Sequence, residues 1–283
     1  MILVQWNVQW CRGLDGKVDP QRIIDTVKAF GDADILCLQE VAVNFPALAG
    51  SVGEDQPFAL GKHLPQHEPV FAAAVDVPGG HESRRRFGNL VLSRYPVQQV
   101  FRHTLPWPAH EGVPSMPRVA LEVVVHSPLG PLRVVTTHLE YYSDRQRTAQ
   151  VERLRELHAE ACGHAGATPS AQYDSGPFQP FARPASAIVC GDFNLPQGPA
   201  DPGYARLTAP FSGAPRLLDS WACVSAGVPH PPSFCVHEQA HGDAPYCCDF
   251  VFVTEDLAPR LRSVRYDLDT RASDHQPVIV ELA

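Results

Sequence analysis

Polar side chains recur at the ends of apolar, strand-like runs along the whole sequence. Asn7 follows the run at positions 2–6, and Glu40 follows the run at positions 35–38 and Gln39. Four later segments share this arrangement: Thr137-His138-Leu139, Gly191-Asp192-Phe193-Asn194, Cys248-Asp249-Phe250 and Ser273-Asp274-His275. Buried carboxylates and amides need polar partners. The recurrence of the pattern therefore indicates that these side chains share a function.

These residues together provide the groups that hydrolysis of a phosphate ester requires. Carboxylate oxygens are the ligands that Mg²⁺ and Mn²⁺ prefer, and histidines can donate to phosphate oxygens. Each residue alone has an ordinary structural explanation. Asn7 could cap a turn, Asp192 with Asn194 could form an Asx-turn, and His138 could be a hydrogen-bonded core residue. The joint occurrence favours metal-assisted phosphoester hydrolysis.

Strands dominate the elements that must position these residues. Apolar runs predict strands at 2–8, 35–38, 70–75, 89–93, 119–125, 132–137, 187–190, 250–253 and 278–282. The turn-rich segment 127–131 joins two of these runs, so it predicts an antiparallel hairpin. The sequence contains no phosphate-binding glycine-rich loop of the kind found in nucleotide-binding α/β folds.

Two amphipathic helices are predicted to cover the sheets. The first begins with Asp19 as N-cap and Pro20 at the first helical position. The second runs from Ser143 to about Cys162, with Arg147 on its solvated side. Residues 163–186, rich in Gly, Ala, Pro and Ser, are expected to be a flexible surface insertion, dispensable for folding, within a single domain spanning 1–283.

Composition limits the classes of function. The 23 basic and 31 acidic residues give a net charge of −8, which opposes strong non-specific binding to nucleic acid. Eight cysteines without a Cys-x-x-Cys pair suggest small buried thiols rather than a disulfide framework. No export signal and no apolar stretch long enough to span a membrane are visible. We therefore expect a cytoplasmic protein without a membrane span, and the sequence identifies no protein partner.

The motifs resemble those of a known superfamily. Trp6-Asn7, Leu38-Gln39-Glu40, Thr137-His138-Leu139, Gly191-Asp192-Phe193-Asn194 and Ser273-Asp274-His275 are similar to the ordered motifs of the endonuclease/exonuclease/phosphatase superfamily. The resemblance spans Asn7 to His275, and residues 88–94 also resemble a strand of the family that ends in Ser-Arg. It implies a deoxyribonuclease-I-like α/β fold, a four-layer sandwich of two packed mixed β-sheets flanked by helices.

The resemblance, together with metal-ligand chemistry, assigns a role to most of the polar residues. Glu40 is expected to bind Mg²⁺ or Mn²⁺ directly, because one carboxylate and several waters suit the octahedral geometry of Mg²⁺. Asn7 and Asp274 would complete or orient the metal shell. Asp192 would align or deprotonate the attacking water, with Asn194 holding that carboxylate or a phosphate oxygen.

The two histidines are assigned to the phosphate. His275 would hydrogen-bond a non-bridging oxygen, and Asp249 would hold the other ring nitrogen and favour the protonated ring. His138 would donate to the phosphate or to the leaving oxygen from the opposite side. The catalytic set is therefore expected to be His138, Asp192, Asn194, Asp249 and His275.

Four arginines are weaker candidates for substrate binding. Arg84, Arg85 and Arg86 are expected in a glycine-rich loop before Gly88, where a basic cluster could hold an anionic substrate. An ordinary solvated charge run explains the cluster equally well. Arg145 could orient the carboxylates of the site or be a surface residue of its helix.

A divalent-metal-dependent phosphodiesterase is the function that these patterns favour. One alternative is a nuclease acting on DNA ends or lesions, which would make nucleic acid the phosphate-ester substrate. Another is a binding scaffold that has lost catalysis, since a fold does not guarantee activity. A zinc hydrolase is disfavoured because the candidate ligands are mostly oxygen atoms and no His-x-x-x-His pair is among them.

Overall fold

The structure is a computed structural model that describes residues 1–80, 83–168, 175–238 and 244–283. The strands are β1 Ile2–Asn7, β2 Ile35–Val43, β3 Glu68–Gly80, β4 Ser83–Ser93, β5 Val97–Thr104, β6 Val119–Ser127, β7 Gly130–His138, β8 Ala187–Asp192, β9 Leu217–Asp219, β10 Asp249–Thr254, β11 Leu261–Tyr266 and β12 Val278–Leu282. The α-helices are α1 Pro20–Ala29, α2 Gln56–His63, α3 Asp144–Gly166, α4 Pro202–Thr208 and α5 Ser220–Val224.

The strands form two mixed sheets of six strands each. The first sheet has the order β11-β12-β1-β2-β4-β3, and the second has the order β5-β6-β7-β8-β10-β9. Buried side chains from both sheets, such as Leu3 and Ile35 from the first and Val123 and Val251 from the second, form the core between them. Alternate residues of a strand face opposite sides. Each sheet therefore also presents a second apolar face to the helices.

Helices cover both outer faces and complete the four layers. Ile23 of α1 and Leu60 of α2 pack on the outer face of the first sheet. Leu154 of α3 and Leu207 of α4 pack on the outer face of the second. The four-layer α/β sandwich expected from the sequence is confirmed. Among the described residues, no helix combines the length and apolar character needed to cross a bilayer.

Strand pairing brings the candidate residues to one edge of the sandwich. β1 runs parallel to β2, with Asn7 opposite Gln39. In the second sheet β7 runs parallel to β8, with His138 opposite Asp192, and β10 is antiparallel to β8, with Asp249 also opposite Asp192. The carboxyl ends of β1, β7 and β8, the register break of β2 between Leu38 and Val41 and the start of β10 therefore meet.

Both predicted helices form with the predicted N-caps. The Asp19 carboxylate accepts a hydrogen bond from the backbone N–H of Arg22, and the Ser143 hydroxyl accepts one from that of Gln146. The expectation that Arg147 is solvated is wrong, since its side chain is buried. The guanidinium instead donates to backbone carbonyl oxygens that precede the helix.

Two local expectations require correction. Arg84, Arg85 and Arg86 lie in strand β4 rather than in a loop, because their segment pairs with β3 in register, with Asp76 opposite Arg86. Within the segment 163–186, residues 169–174 lie outside the described residues. Arg183 is buried and donates two hydrogen bonds, of 3.0 and 3.2 Å, to the Glu122 carboxylate. Dispensability for folding therefore cannot extend to Arg183.

Candidate active site

A cavity of about 570 Å³ opens at the edge where the candidate residues meet. Its polar lining includes Glu40, His138, Asp192, Asn194, Asp274 and His275. Asn7 and Asp249 are fully buried directly behind this lining. The structure thus brings the eight predicted catalytic and metal-binding residues together, although they are separated by up to 268 positions in the chain.

Asn7 connects the two sheets across the floor of the cavity. Its side-chain Nδ2 donates to Glu40 Oε1 and to Asp192 Oδ2, both at 3.0 Å. Its Oδ1 accepts the backbone N–H of Gln9 at 3.1 Å. The amide oxygen is therefore turned away from the two carboxylates. Of the two roles expected for Asn7, this geometry favours orienting the metal shell over direct coordination.

Glu40 and Asp274 form the acidic side of the cavity. Glu40 has a side chain that is 18% exposed, and its burial and the negative charge of Asp274 raise its pKa to about 7. Gln9 Nε2 donates to Asp274 Oδ2 at 2.6 Å, which fixes that carboxylate. A bound cation stabilises the ionised form of neighbouring carboxylates. This oxygen-rich set therefore fits Mg²⁺ or Mn²⁺.

Asp192 is held as a hydrogen-bond acceptor in the middle of the site. The backbone N–H of Asn194 donates to its Oδ1 at 2.9 Å, while Asn7 occupies its Oδ2. Burial raises the pKa of Asp192 to about 6, and the positive charge of His275 partly offsets this effect. A carboxylate with this pKa is mostly ionised at neutral pH and remains basic enough to accept a proton.

His275 and Asp249 form a buried pair. His275 Nδ1 lies 2.8 Å from Asp249 Oδ2, which also accepts the hydroxyl of Ser233 at 2.7 Å. Gln5 Nε2 donates to the other carboxylate oxygen at 3.0 Å. Burial disfavours the charged ring, but the Asp249 and Asp192 carboxylates outweigh it and raise the pKa of His275 to about 10. The ring is therefore an imidazolium at neutral pH.

His138 has the opposite electrostatic environment. Its Nε2 lies 3.5 Å from Asp192 Oδ2, and its Nδ1 lies 3.9 Å from Glu40 Oε1. Burial and the positive charges of Arg118 and His275 hold the pKa of His138 well below its usual range. The site therefore contains one neutral and one charged histidine, which can serve different proton-transfer roles.

Several site residues have unusual backbone conformations. The φ angles of Trp10, Glu40 and Asn194 are 44°, 58° and 49°. These values lie in the left-handed backbone region that residues other than glycine rarely adopt. Gly191 allows β8 to approach β7, since a Cβ atom there would lie 1.9 Å from the carbonyl oxygen of Thr137. Strain of this kind concentrates at functional sites, where the surrounding structure maintains it.

The thiol of Cys248 lies close to Asp192 and His275. Asp192, Cys248 and His275 each place one potential ligand atom within 4.8 Å of the others. Cys248 is fully buried, and burial raises the pKa of its thiol well above the usual range. A protonated thiol is a poor metal ligand. The carboxylates that line the cavity are therefore the better candidates for holding a cation.

Sequence reasoning missed several residues of this site. Arg118, Tyr141 and Tyr142 line the cavity, and Ser233 supports Asp249. Arg118 stands directly before the apolar run of β6, which places a charge at a strand end and is a signal of the same kind as Glu40. Ser233 lies in a proline-rich loop and carries no comparable signal.

The four candidate arginines do not line the described cavity. Arg84 forms an ion pair with Asp76 at 2.7 Å, and Arg86 lies 3.7 Å from the same carboxylate. Arg85 donates to the carbonyl oxygen of Pro78. Arg145 donates to the carbonyl oxygen of Ala109. Each side chain therefore has a partner outside the catalytic cluster.

Solved structures similar to this one share its fold. A protein from Beutenbergia cavernae DSM 12333 is 24% identical, with a TM-score of 0.65 over 100% of this chain and 72% of that chain. Mannosyl-6-phosphatase Bt3783 of Bacteroides thetaiotaomicron is 17% identical, with a TM-score of 0.65 over 100% and 99% of the two chains. The D. rerio protein TDP2, in complex with a single-strand DNA product, is 16% identical, with a TM-score of 0.61 over 100% and 98%.

The sequence itself identifies the family. No curated protein matches the chain. The sequence model of the Endonuclease/Exonuclease/phosphatase family, however, matches residues 4–275, which include every catalytic and metal-binding candidate. Members of this family are phosphoesterases and nucleases, which agrees with the chemistry of the cavity. The chain therefore belongs to the endonuclease/exonuclease/phosphatase family.

Proposed function

We propose that this protein is a divalent-metal-dependent phosphodiesterase that hydrolyses its substrate by one-step attack of an activated water. The observation that carries the proposal is the pairing of an acceptor and a donor within one cavity. Asp192 Oδ2 lies 3.7 Å from Nε2 of the charged His275 ring. Asp192 can hold a water while His275 contacts the phosphate that the water attacks.

The acidic side of the cavity is the part suited to a cation. Glu40 and Asp274 would hold Mg²⁺ or Mn²⁺, with Asn7 fixing the orientation of Glu40 through its 3.0 Å hydrogen bond. A bound divalent cation supplies positive charge that neutralises the phosphate and polarises its ester bond. Binding would also relieve the repulsion between the two carboxylates that raises the pKa of Glu40.

Asp192 is the proposed acceptor of the water proton. Two donors, the Asn7 amide and the Asn194 backbone N–H, fix its orientation, and its pKa of about 6 leaves it ionised at neutral pH. A base with a pKa near the working pH combines the correct charge state with the ability to accept a proton. Asn194 acts through its backbone here, since its side-chain Nδ2 donates to the Leu139 carbonyl oxygen.

The histidines provide donors on the phosphate side. His275 keeps its charge because Asp249 holds Nδ1, which leaves Nε2 directed toward Asp192 and Asn7. That nitrogen can donate to a non-bridging oxygen on which negative charge accumulates in the transition state. His138 is neutral, so one of its ring nitrogens can still donate to the leaving oxygen.

Hydrolysis of bis(p-nitrophenyl) phosphate with Mg²⁺, Mn²⁺ or a chelator tests the proposal. We expect turnover that the chelator abolishes and added metal restores. Glu40→Gln should lower turnover by about 100-fold or more, because it removes the charge that attracts the cation. Glu156→Gln is the matched control, since Glu156 lies on α3 with a side chain that is 63% exposed. Turnover that persists in chelator would reject metal dependence.

Charge provides little support for nucleic acid as the preferred substrate. The net charge is −8, and Asp76 already pairs with Arg84 and Arg86. The similarity of the fold to TDP2 nevertheless makes single-stranded DNA an informative arm of the same assay. Faster hydrolysis of DNA than of small diesters, with a steep salt dependence, would favour the nuclease alternative.

A further inference from the structure

Two adjacent tyrosines stand at the mouth of the active-site cavity. Tyr141 and Tyr142 both line the cavity and are 39% and 62% exposed. Their rings are nearly perpendicular, at 89°, with centroids 4.8 Å apart. Large aromatic surfaces exposed beside a cavity are a common feature of ligand-binding sites.

Buried polar groups fix the backbone that carries this pair. Glu140 is fully buried, and its backbone N–H donates to Gln150 Oε1 at 2.9 Å. The backbone N–H of Tyr142 donates back to Glu140 Oε1, also at 2.9 Å. Arg147 Nη1 donates to the carbonyl oxygens of Glu140 and Tyr141, both at 2.9 Å. An aromatic surface held in this way loses little conformational entropy when a ligand binds.

The same network also positions the cationic residue of the wall. Arg118 lines the cavity, is 6% exposed and directs Nε and Nη2 to Glu140 Oε2, both at 3.3 Å. Glu140 therefore connects the tyrosine pair to Arg118. Among the described residues that line the cavity, Arg118 is the single arginine and there is no lysine.

The lining of the cavity also includes large apolar side chains. These are Trp10, Phe87, Met116 and Phe234. A substrate with several phosphates would need several cationic partners, because desolvated anions require paired charges. The described lining offers the metal-binding carboxylates, His275 and Arg118 for a single phosphate, and flat apolar surfaces for the rest of the substrate.

We infer that the site takes an ester in which one phosphate carries a flat aromatic ring, and that the ring stacks on Tyr142 with Tyr141 behind it. This inference rests on the proposed hydrolysis and specifies the class of substrate. The ring is an aryl group or a nucleobase, since both present the same π surface to a tyrosine. A saturated ring of similar size lacks the stacking interaction.

Binding of two matched phosphonates tests the inference without requiring turnover. Benzylphosphonate and cyclohexylmethylphosphonate carry the same charge and differ in the aromaticity of the ring. Isothermal titration with Mg²⁺ present should give a dissociation constant roughly fivefold lower for benzylphosphonate. Tyr142→Ala should remove the difference, and Tyr142→Phe should retain it. Phe58→Ala is the control, because Phe58 is 71% exposed on α2 and does not line the cavity.

A nucleotide arm separates the two sources of the ring. Thymidine 5′-methylphosphonate is compared with the same compound lacking its base. If the base increases the affinity and Tyr142→Ala abolishes this increase, the ring is a nucleobase. If only the benzyl compound shows an increase in affinity, the ring belongs to an aryl ester. Both outcomes support the inference.

Equal affinities for the benzyl and cyclohexylmethyl compounds, or no measurable binding of either, would overturn the inference. An unchanged ring preference in Tyr142→Ala would overturn it as well. A separate result tests the proposed hydrolysis. A Tyr142-dependent ring preference without hydrolysis of benzyl methyl phosphate in Mg²⁺ or Mn²⁺ would leave ring recognition standing and reject the proposed function.

Discussion

Two buried clusters of charge in this protein contain carboxylates whose pKa values move in opposite directions. In the first cluster, Glu122 of β6 accepts two hydrogen bonds from Arg183, lies 3.1 Å from His103 Nε2 and lies 3.9 Å from Arg133 Nη1. Burial opposes ionisation of Glu122, but hydrogen bonds from His103 and Arg183 and the charge of Arg133 outweigh it. The pKa of Glu122 is about 2 as a result.

In the second cluster, called the catalytic cluster because it contains the candidate catalytic residues, the pKa values move the other way, although Asp192 is as buried as Glu122. Burial, with the charge of Asp274 near Glu40 and that of Asp249 near Asp192, raises the pKa of Glu40 to about 7 and that of Asp192 to about 6, and the charge of His275 offsets only part of this rise. Burial alone therefore does not determine the direction of a shift. The Glu122 cluster is a complete ionic network, whereas the catalytic cluster is short of positive charge until a cation binds.

The largest effect that separates the two clusters should come from Asp192→Asn. Loss of the proposed base should lower turnover by about 10³-fold. The metal-free protein should keep or raise its thermal midpoint, since the substitution removes an uncompensated buried charge without changing side-chain volume. Steady-state kinetics and thermal melts in chelator measure both quantities. A lower midpoint together with lost turnover would make Asp192 a structural carboxylate.

Glu122→Gln should produce the reverse pattern. Removing this carboxylate leaves Arg133 buried without the charge of Glu122 and leaves Arg183 paired with Glu160, which should reduce the free energy of unfolding by about 3–5 kcal/mol. Turnover of the folded protein should stay within about twofold of wild type. Urea unfolding measures the predicted loss of stability, and initial rates measure the turnover. Little loss of stability would show that the network tolerates the loss of its carboxylate. The contacts of Arg183 would then no longer argue against shortening residues 163–186.

Glu122 and the two carboxylates Glu40 and Asp192 should contribute to the pH dependence of stability of the metal-free protein with opposite signs. The folded pKa of Glu122 is depressed from 4.5 to about 2, so its contribution is present above about pH 4.5 and is lost as the pH falls toward 2. Glu40 and Asp192 have raised pKa values, so each of these two carboxylates retains a proton in the folded protein at pH values where it is ionised in the unfolded chain. Their ionisation therefore lowers stability as the pH rises toward 7.

The lowered pKa of His138 adds stability as the pH rises over the same range, so thermal melts from pH 2 to 8 in chelator should be compared between wild type and variants that lack one carboxylate. Glu122→Gln should weaken the acidic limb, and Glu40→Gln should weaken the limb between pH 5 and 7. Added Mn²⁺ should stabilise the protein most at high pH, because the cation binds the ionised carboxylates. A pH dependence between pH 5 and 7 that is the same in wild type and in Glu40→Gln would contradict the charge deficit of the catalytic cluster.

The catalytic cluster was predictable from sequence because strand ends carry the information. Asn7, His138 and Asp192 each end a strand, whereas Glu40 lies at a register break inside β2, which continues to Val43. Parallel pairing within each sheet brings these positions together. The same reasoning cannot determine which atom of Asn7 faces Glu40, since that depends on the backbone N–H of Gln9. Roles that depend on side-chain orientation therefore needed the structure.

The parts of the molecule that sequence reasoning missed depend on partners distant in the chain. Glu122 and Arg183 are 61 positions apart, and the composition around Arg183 suggested a loop without packing. Strand β5 lies at the edge of the second sheet, next to β6, and is half-buried along much of its length, so its pattern lacks the apolar run of a central strand. Strand β9 has three residues, too few to show alternation. Long-range contacts and short edge elements leave weak local signals.

The smallest expected effect comes from a third, exposed cluster, in which Arg84 and Arg86 share Asp76. All three side chains are about 45% exposed, at 45%, 44% and 45%. An exposed ion pair contributes at most about 1 kcal/mol. Arg86→Ala should therefore change the free energy of unfolding by about 0.5 kcal/mol or less and leave kcat/KM for a small diester within about twofold. Arg84 remains paired with Asp76 in this variant, so β3 and β4 should keep their register.

Kinetics on single-stranded DNA at two salt concentrations provide the decisive comparison for Arg86→Ala. A severalfold rise in KM for DNA, with a shallower salt dependence, would show that Arg86 contacts a polyanion and would restore the substrate-binding role expected from the sequence.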